Sequence, residues 1–341
     1  MKISVDAGAL CSTNKFGTYI FTENILKALC LYDTSNSYTG YLYKRGAHLP
    51  TSNNLKYKVL RPSLGWMVWR VSLEELANPK DVYLGLSQAI PWASKAKIIS
   101  FLHGASFFLH KDIYPDIYEA LKDQVMFATA RSQKIIVSSS KVKGELEEYF
   151  GYAAAVVLPF GVPFDMITSQ KSIKSIKSVR SVKSQKPYFL FVGMNHKIKN
   201  IDFLVKAFTI FKEKSVYKDF ELILVGEHRK FTDDKLGIRS VSADRKELAS
   251  LYKNAAGYLT ASHYESFNLP VLEALSQGCN VVGKTSAIIP ELSPFVEIAN
   301  EVEEFVDAMN GIAKKKKEID TKEILEKFSW ERYVSKLTAL Y

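Results

Sequence analysis

The chain is poor in the features that would classify it quickly. Its 341 residues include three cysteines, Cys11, Cys30 and Cys279. They are too scattered for a CxxC pair, a zinc site or a disulfide framework, and they read as reduced core thiols. No apolar run approaches the roughly 18 residues of a membrane-spanning helix. The opening "MKISVDAGAL" carries Asp6 where a signal peptide would be uniformly apolar, so the chain is expected to stay in the cytosol. No Asp-x-Asp pair, a frequent holder of Mg²⁺, occurs anywhere. One long stretch also lacks acid: "MITSQKSIKSIKSVRSVKSQK", Met166 to Lys186, has six basic residues and no acidic one.

That stretch changes the meaning of the net charge of +10. Lys171, Lys174, Lys177, Arg180, Lys183 and Lys186 account for six of the ten charges, so the remainder is only mildly basic and nucleic acid is not expected as a partner. The segment repeats with a period of three that fits neither a helical stripe nor a strand, and it reads as a linker. Whether it is a solvated spacer or a basic arm that touches anionic lipid stays open. A second basic run, Lys314 to Lys317, reads as the solvated end of a helix. "WMVWR", Trp66 to Arg70, suggests a membrane or acceptor patch but is read first as packing.

What is present is globular: 47% hydrophobic and 24% charged residues, in a chain long enough for two domains. Short apolar runs alternate with helical patterns on both sides of the linker. In the first half "KISVDA", "DVYLGLS", "KIISFLHG", "KIIVSSS" and "AVVLPFG" are strand-like. In the second, "YFLFVG", "ELILVG", "GYLTAS" and "NVVGK" are strand-like, and Ile201, Leu204, Val205, Phe208 and Phe211 fall on one helical face. Such alternation signifies parallel sheets covered on both faces. The expected fold is α/β, with two Rossmann-like doubly wound domains facing a cleft. The first spans 1–165 on the acceptor side, the linker 166–186, and the second 187–325, with a terminal helix near 326–341 packing back on the first.

In such sheets ligands bind beyond the carboxyl ends of the strands. His103, Gly193, Gly226 and Glu265 lie at those ends. The loop "GMNHKIKN", Gly193 to Asn200, sets Lys197 and Lys199 beside a helix N-terminus, the equipment of an anion site. "SHYESFNLPVLEALSQG", Ser262 to Gly278, places Glu265 before a helix and Glu273 in its early turns, with Pro270 between them. Each carboxylate can accept from two neighbouring hydroxyls, as sugars and ribose present them. The N–H groups of Phe267, Asn268 and Leu269 can meet a phosphate or sugar oxygen.

These motifs resemble glycosyltransferase family 4, the retaining enzymes of the GT-B fold. That family's signature is a glutamate pair with seven residues between them, within "E-G-F-G-L-P-x-L-E-A". Here it reads "ESFNLPVLEA", Glu265 to Ala274. "FGTYIFTENILKAL", with Gly17, resembles the family's first glycine loop and helix. "LHG" matches its His position at His103, and "VSSSKVKGEL", "LPFGVPFD" and "FSWERYVSKL" match further motifs in order. There are departures. Ile198 stands before Lys199 where the family writes an arginine nearby, and Ser266 and Asn268 replace two glycines.

The resemblance implies a hexosyltransferase that moves a sugar from a UDP-, GDP- or dTDP-sugar to a saccharide or lipid-linked acceptor, with retention of anomeric configuration. It implies catalytic Glu265, Lys199 and His103, and donor contacts from Gly17, Gly193, Lys197, Gly226, Phe267, Asn268, Leu269 and Glu273. No metal and no cofactor beyond the donor are expected, since Lys199 and Lys197 would neutralise the leaving diphosphate. The place implied is the cytoplasm, including the inner face of the membrane as a peripheral contact. A catalytically silent nucleotide-sugar-binding partner and a nucleotide-sugar epimerase remain the alternatives.

Overall fold

The structure is a computed structural model and describes residues 1–13, 15, 17–45, 49–114, 116–167 and 186–341. The expected linker lies, except for its ends, outside the described residues. The chain divides into two compact units, Met1–Gly161 with Phe328–Tyr341, and Val162–Lys327.

The first unit is built on a parallel seven-stranded sheet of order β3-β2-β1-β4-β5-β6-β7. Its strands are β1 (Lys2–Asp6), β2 (Ser37–Leu42), β3 (Leu55–Val59), β4 (Val82–Gly85), β5 (Lys97–Leu102), β6 (Lys134–Val137) and β7 (Val156–Val157). All four residues of β4 are buried, as are the last five of β5, the signature of strands covered on both faces. The second unit repeats the design with six parallel strands, β8 (Tyr188–Val192), β9 (Glu221–Val225), β10 (Ile238–Val241), β11 (Gly257–Thr260), β12 (Asn280–Gly283) and β13 (Glu297–Ile298), in the order β10-β9-β8-β11-β12-β13. The chain order reverses between β1 and β4 in one sheet and between β8 and β11 in the other. Both are doubly wound, Rossmann-like sheets.

Strands with continuous apolar runs appear where the sequence places them. Those the sequence reading passes over, β2, β3, β10 and β13, lie towards the sheet margins. β3 is "LKYKV" with only Leu55 fully buried, so its polar residues mask it. In the second unit the helix Ile201–Glu213 buries Ile201, Leu204, Phe208 and Phe211 against an aromatic core that includes Phe189, Phe191 and Phe305. Cys11 and Cys279 are buried and Cys30 is half-buried. Packing accounts for Trp66, which is 9% exposed, but not for Trp69, which is 58% exposed. Among the described residues no helix is long and apolar enough to cross a membrane.

The C-terminal helix Trp330–Thr338 belongs to the first unit. Ser329 caps it by accepting from the N–H of Arg332 at 3.3 Å. Trp330, Tyr333, Val334 and Leu337 recur at helical spacing and are all buried. The Trp330 ring joins Phe21, and Phe21 in turn lies 5.1 Å from His103 and 4.5 Å from Phe160, centroid to centroid. Gly161 admits this arrangement, because a Cβ there would stand 2.6 Å from the Trp330 ring. Gly161→Ala is therefore expected to destabilise the first unit by about 1–3 kcal/mol through overpacking. An unchanged denaturation midpoint would contradict the close approach.

Candidate functional site

At the carboxyl end of β8 the chain turns at Gly193, and at the end of β9 it turns at Gly226. The two turns touch. A Cβ on Gly226 would lie 2.4 Å from the Gly193 carbonyl, and Gly226 takes a φ of +133°, so both sterics and backbone conformation call for glycine. His228 pins the pair: its Nε2 donates to the Gly193 carbonyl at 2.9 Å, and its N–H lies 3.0 Å from Ser240 Oγ. Burial holds its pKa below the ordinary value. His228 was not singled out from the sequence, because nothing local marks it.

Beyond Gly193 the loop tightens into a 3-10 turn, Lys197–Lys199, whose middle residue, Ile198, is buried. Burial of Ile198 leaves Lys197 exposed and turns Lys199 inward, its side chain 19% exposed. The carbonyl of Ile198 accepts from the N–H of His263 at 2.8 Å, joining this loop to the one that follows β11. There Lys199 Nζ meets Glu265 Oε1 at 2.6 Å, and Ser262 Oγ donates to the same oxygen at 2.7 Å. Sixty-six residues separate the lysine from the glutamate. They meet because β8 and β11 are neighbours at the point where chain order reverses.

The helix that follows, Leu269–Ser276, begins at Asn268, which takes φ 65° and ψ 67°. A left-handed residue is needed there, which is why the resembled motif writes glycine; asparagine tolerates that conformation. Its side-chain amide donates to the Ala287 carbonyl at 2.9 Å and is thus used in holding the turn. Phe267 is buried in the core, so only its backbone is suited to face a ligand.

Glu273 lies deeper, 2% exposed. Arg245 Nη2 donates to its Oε1 at 2.7 Å and the Tyr252 hydroxyl to its Oε2 at 3.1 Å. Arg245 also grips Asp165 through Nε at 2.7 Å and Nη2 at 2.9 Å. Burial raises the Glu273 carboxyl while Arg245 opposes the rise. On Arg245 burial disfavours the charge, but Glu273 and Asp165 outweigh it and hold the guanidinium ionised. Tyr258, 5.7 Å from Tyr252 between ring centroids, is pushed well above the ordinary phenol range by burial and then by the charges of both Glu265 and Glu273. One buried tyrosine thus senses both glutamates.

The expected donor-side residues Gly193, Lys197, Lys199, Gly226, Glu265, Phe267, Asn268, Leu269 and Glu273 all belong to the second unit, at the loops beyond β8, β9 and β11. Gly17 and His103 belong to the first. Gly17 starts the helix Gly17–Tyr32, where a Cβ would meet nothing within 4 Å among the described residues. His103 follows β5, and its Nε2 bonds the Leu86 carbonyl at 2.6 Å, so Nε2 carries the proton. Burial lowers its pKa, and the ring is neutral near pH 7. Arg245, Asp165 and Tyr252 were missed. The available signal was the capping box of Asp244 and Glu247, which places Arg245 at a helix start beyond β10.

Residues 186–315 match the family described as Glycosyl transferases group 1. The O-antigen chain mannosyltransferase B of Escherichia coli is 25% identical over 233 residues, 64% of this chain and 60% of that one. A probable sucrose-phosphate synthase of Thermosipho melanesiensis is 29% identical over 156 residues, 39% and 36% of the two chains. The matches therefore span less than two thirds of these relatives' lengths. Among solved structures, sucrose-phosphate synthase from Thermosynechococcus elongatus superposes with a TM-score of 0.74 at 15% identity, covering 100% of this chain and 98% of that one. WaaG, a glycosyltransferase involved in lipopolysaccharide biosynthesis, gives 0.68 at 13% identity, covering 100% and 96%. The fold is that of the GT-B class.

Two outcomes follow. Arg245→Met should cost about 3 kcal/mol, because it strands Glu273 as a buried, unpaired carboxylate. Adding Glu273→Leu should recover most of that loss, and equal denaturation midpoints for wild type and the single variant would refute the charge pairing. His103, His196 and His228 all have lowered pKa values, with burial the leading cause. Below about pH 6.5 the unfolded chain binds protons that the folded chain refuses, so stability falls as pH drops through that window. Melting curves should show this, and His103→Asn should flatten the decline.

Proposed function

We propose, from the match of residues 186–315 to the family Glycosyl transferases group 1 and from the site described above, that the protein transfers a hexose from a nucleotide-diphosphate sugar to a saccharide or lipid-linked acceptor. The observation that carries this reading is the Lys199–Glu265 pair, 2.6 Å apart at the reversal point of the second sheet. It sets a cation and a hydroxyl-binding carboxylate side by side, as a sugar bonded to a diphosphate requires. Lys199 faces the phosphate that leaves, with Lys197 as a second, more solvated charge. Glu265 holds hydroxyls of the transferred sugar, with Ser262 fixing its rotamer. Glu273 shares its remaining lone pairs with the ribose diol while Arg245 opposes the rise in pKa that burial causes.

Departure of the nucleotide develops negative charge on the diphosphate, and preorganised cations stabilise that charge without reorganisation. In this reading the lysines do that work and no metal is needed. Glu265 is neutralised by Lys199, so it grips the sugar and does not attack it. The leaving phosphate oxygen takes the acceptor proton on the same face, and configuration is retained.

Lys199→Ala should lower kcat by about 10²–10³-fold, the scale on which such donors act, while donor affinity falls far less. Wild-type turnover in that variant would remove the role. The assay uses labelled nucleotide sugars with acceptors, in EDTA, with the product linkage read by NMR. An α-linked product from an α-linked donor, formed in chelator, is expected. A β-linked product overturns retention, loss of turnover restored by Mg²⁺ overturns the metal-free mechanism, and donor binding without turnover points to a silent binding partner.

A further inference from the structure

The first unit carries an exposed apolar stripe that neither its sheet nor the site explains. Leu64 is 89% exposed, Trp69 58%, Leu73 54% and Trp92 55%. Trp69, Leu73 and Leu76 follow at spacings of four and three along the helical run that begins at Trp66 and ends at Ala77, which places them on one face. Trp92, from the segment after β4, meets Trp69 edge to face with centroids 5.5 Å apart. Leu64 stands on the turn just before, where Gly65 takes φ 61°. Single exposed apolar side chains are ordinary, but a stripe holding two indoles marks an interaction surface.

The charges around it identify what it meets. Glu75 is turned inward, fully buried, and accepts from the Tyr41 hydroxyl at 2.7 Å and Ser94 Oγ at 2.9 Å. Both oxygens of Glu74 accept from Lys58 Nζ at 2.7 Å. The acids of this run are thus compensated within the unit. The exposed charges beside the stripe are cationic: Arg61 before Leu64, Lys95 after Trp92, and Arg131, whose Nη2 donates to the Trp92 carbonyl at 3.2 Å. An indole, apolar in body with a polar N–H at its edge, favours the boundary between headgroup and acyl chain. A cationic rim favours anionic headgroups. A second copy of this face would instead set cation against cation.

We propose that this face docks on the surface of an anionic phospholipid bilayer, with Leu64, Trp69 and Trp92 entering the interface and Arg61, Lys95 and Arg131 meeting lipid phosphates. The proposal concerns residues outside the sugar-transfer site and stands or falls apart from it.

The test is sedimentation of the full chain with phosphatidylcholine vesicles, with and without about 30% phosphatidylglycerol. Binding should need the anionic lipid, weaken with salt, and shift tryptophan emission to the blue. A Trp69→Ser, Trp92→Ser double variant should bind about tenfold more weakly or worse, since two interfacial anchors are lost. Both side chains are exposed, so its melting curve should stay close to wild type. Val216→Ser, at a 77% exposed residue of the second unit, should bind as wild type does. Undiminished binding by the double variant would overturn the proposal and assign the affinity elsewhere, for example to the basic 166–186 segment. Failure of the wild type to bind either vesicle would overturn it as well, as would self-association that the double variant abolishes.

Discussion

Parallel pairing of β8 with both β9 and β11 governs the geometry of the second unit. A strand flanked by two parallel neighbours delivers three loops to one edge, from segments far apart in the chain. The backbone contact between the Gly193 and Gly226 turns can form only because β9 lies beside β8. The meeting of Lys199 with Glu265 depends likewise on β11 lying on the other side. His228 and the Ile198–His263 backbone bond then hold these loops in fixed register, and the ion pair inherits that rigidity.

Depth separates the two glutamates into different electrostatic settings. Glu265 is the less buried of the two, its side chain 13% exposed, and one of its oxygens is shared between a lysine and a serine that compensate its charge. Glu273 is enclosed, and enclosure alone would favour its protonated form. Arg245 opposes that, and Asp165 holds Arg245 in place with a bidentate grip. The burial cost of three charges is offset by hydrogen bonds among them, which is why loss of one partner matters more than the net worth of the network.

The departures from the resembled motif acquire physical meaning in the same frame. Asn268 stands where glycine is usual, and its backbone is left-handed; the asparagine amide bonds the Ala287 carbonyl and so stabilises a conformation that glycine would only permit. Ile198 stands between the two lysines, and burying it turns Lys199 inward and leaves Lys197 in solvent. The two lysines, separated by one residue, therefore differ in what they can do.

Composition and periodicity were sufficient for the architecture, because strands buried on both faces must be continuously apolar and the helices between them must carry one apolar stripe. That logic made β1, β4, β5, β8, β9 and β11 legible, and failed for β3 and β10, where marginal positions relax the demand for burial. The glutamate pair and the lysine loop were legible too, since their local spacing is part of their chemistry. The tertiary structure alone decided which side chains became partners. Nothing near Arg245 in the chain announces that it will lie between Asp165, eighty positions back, and Glu273, twenty-eight ahead. Nor does "WMVWR" reveal that Trp66 is buried and Trp69 exposed, because a helix sorts its residues by the direction in which the rest of the unit lies. Local sequence encodes what a segment can bury or bind, and the packing of distant segments determines what it actually meets.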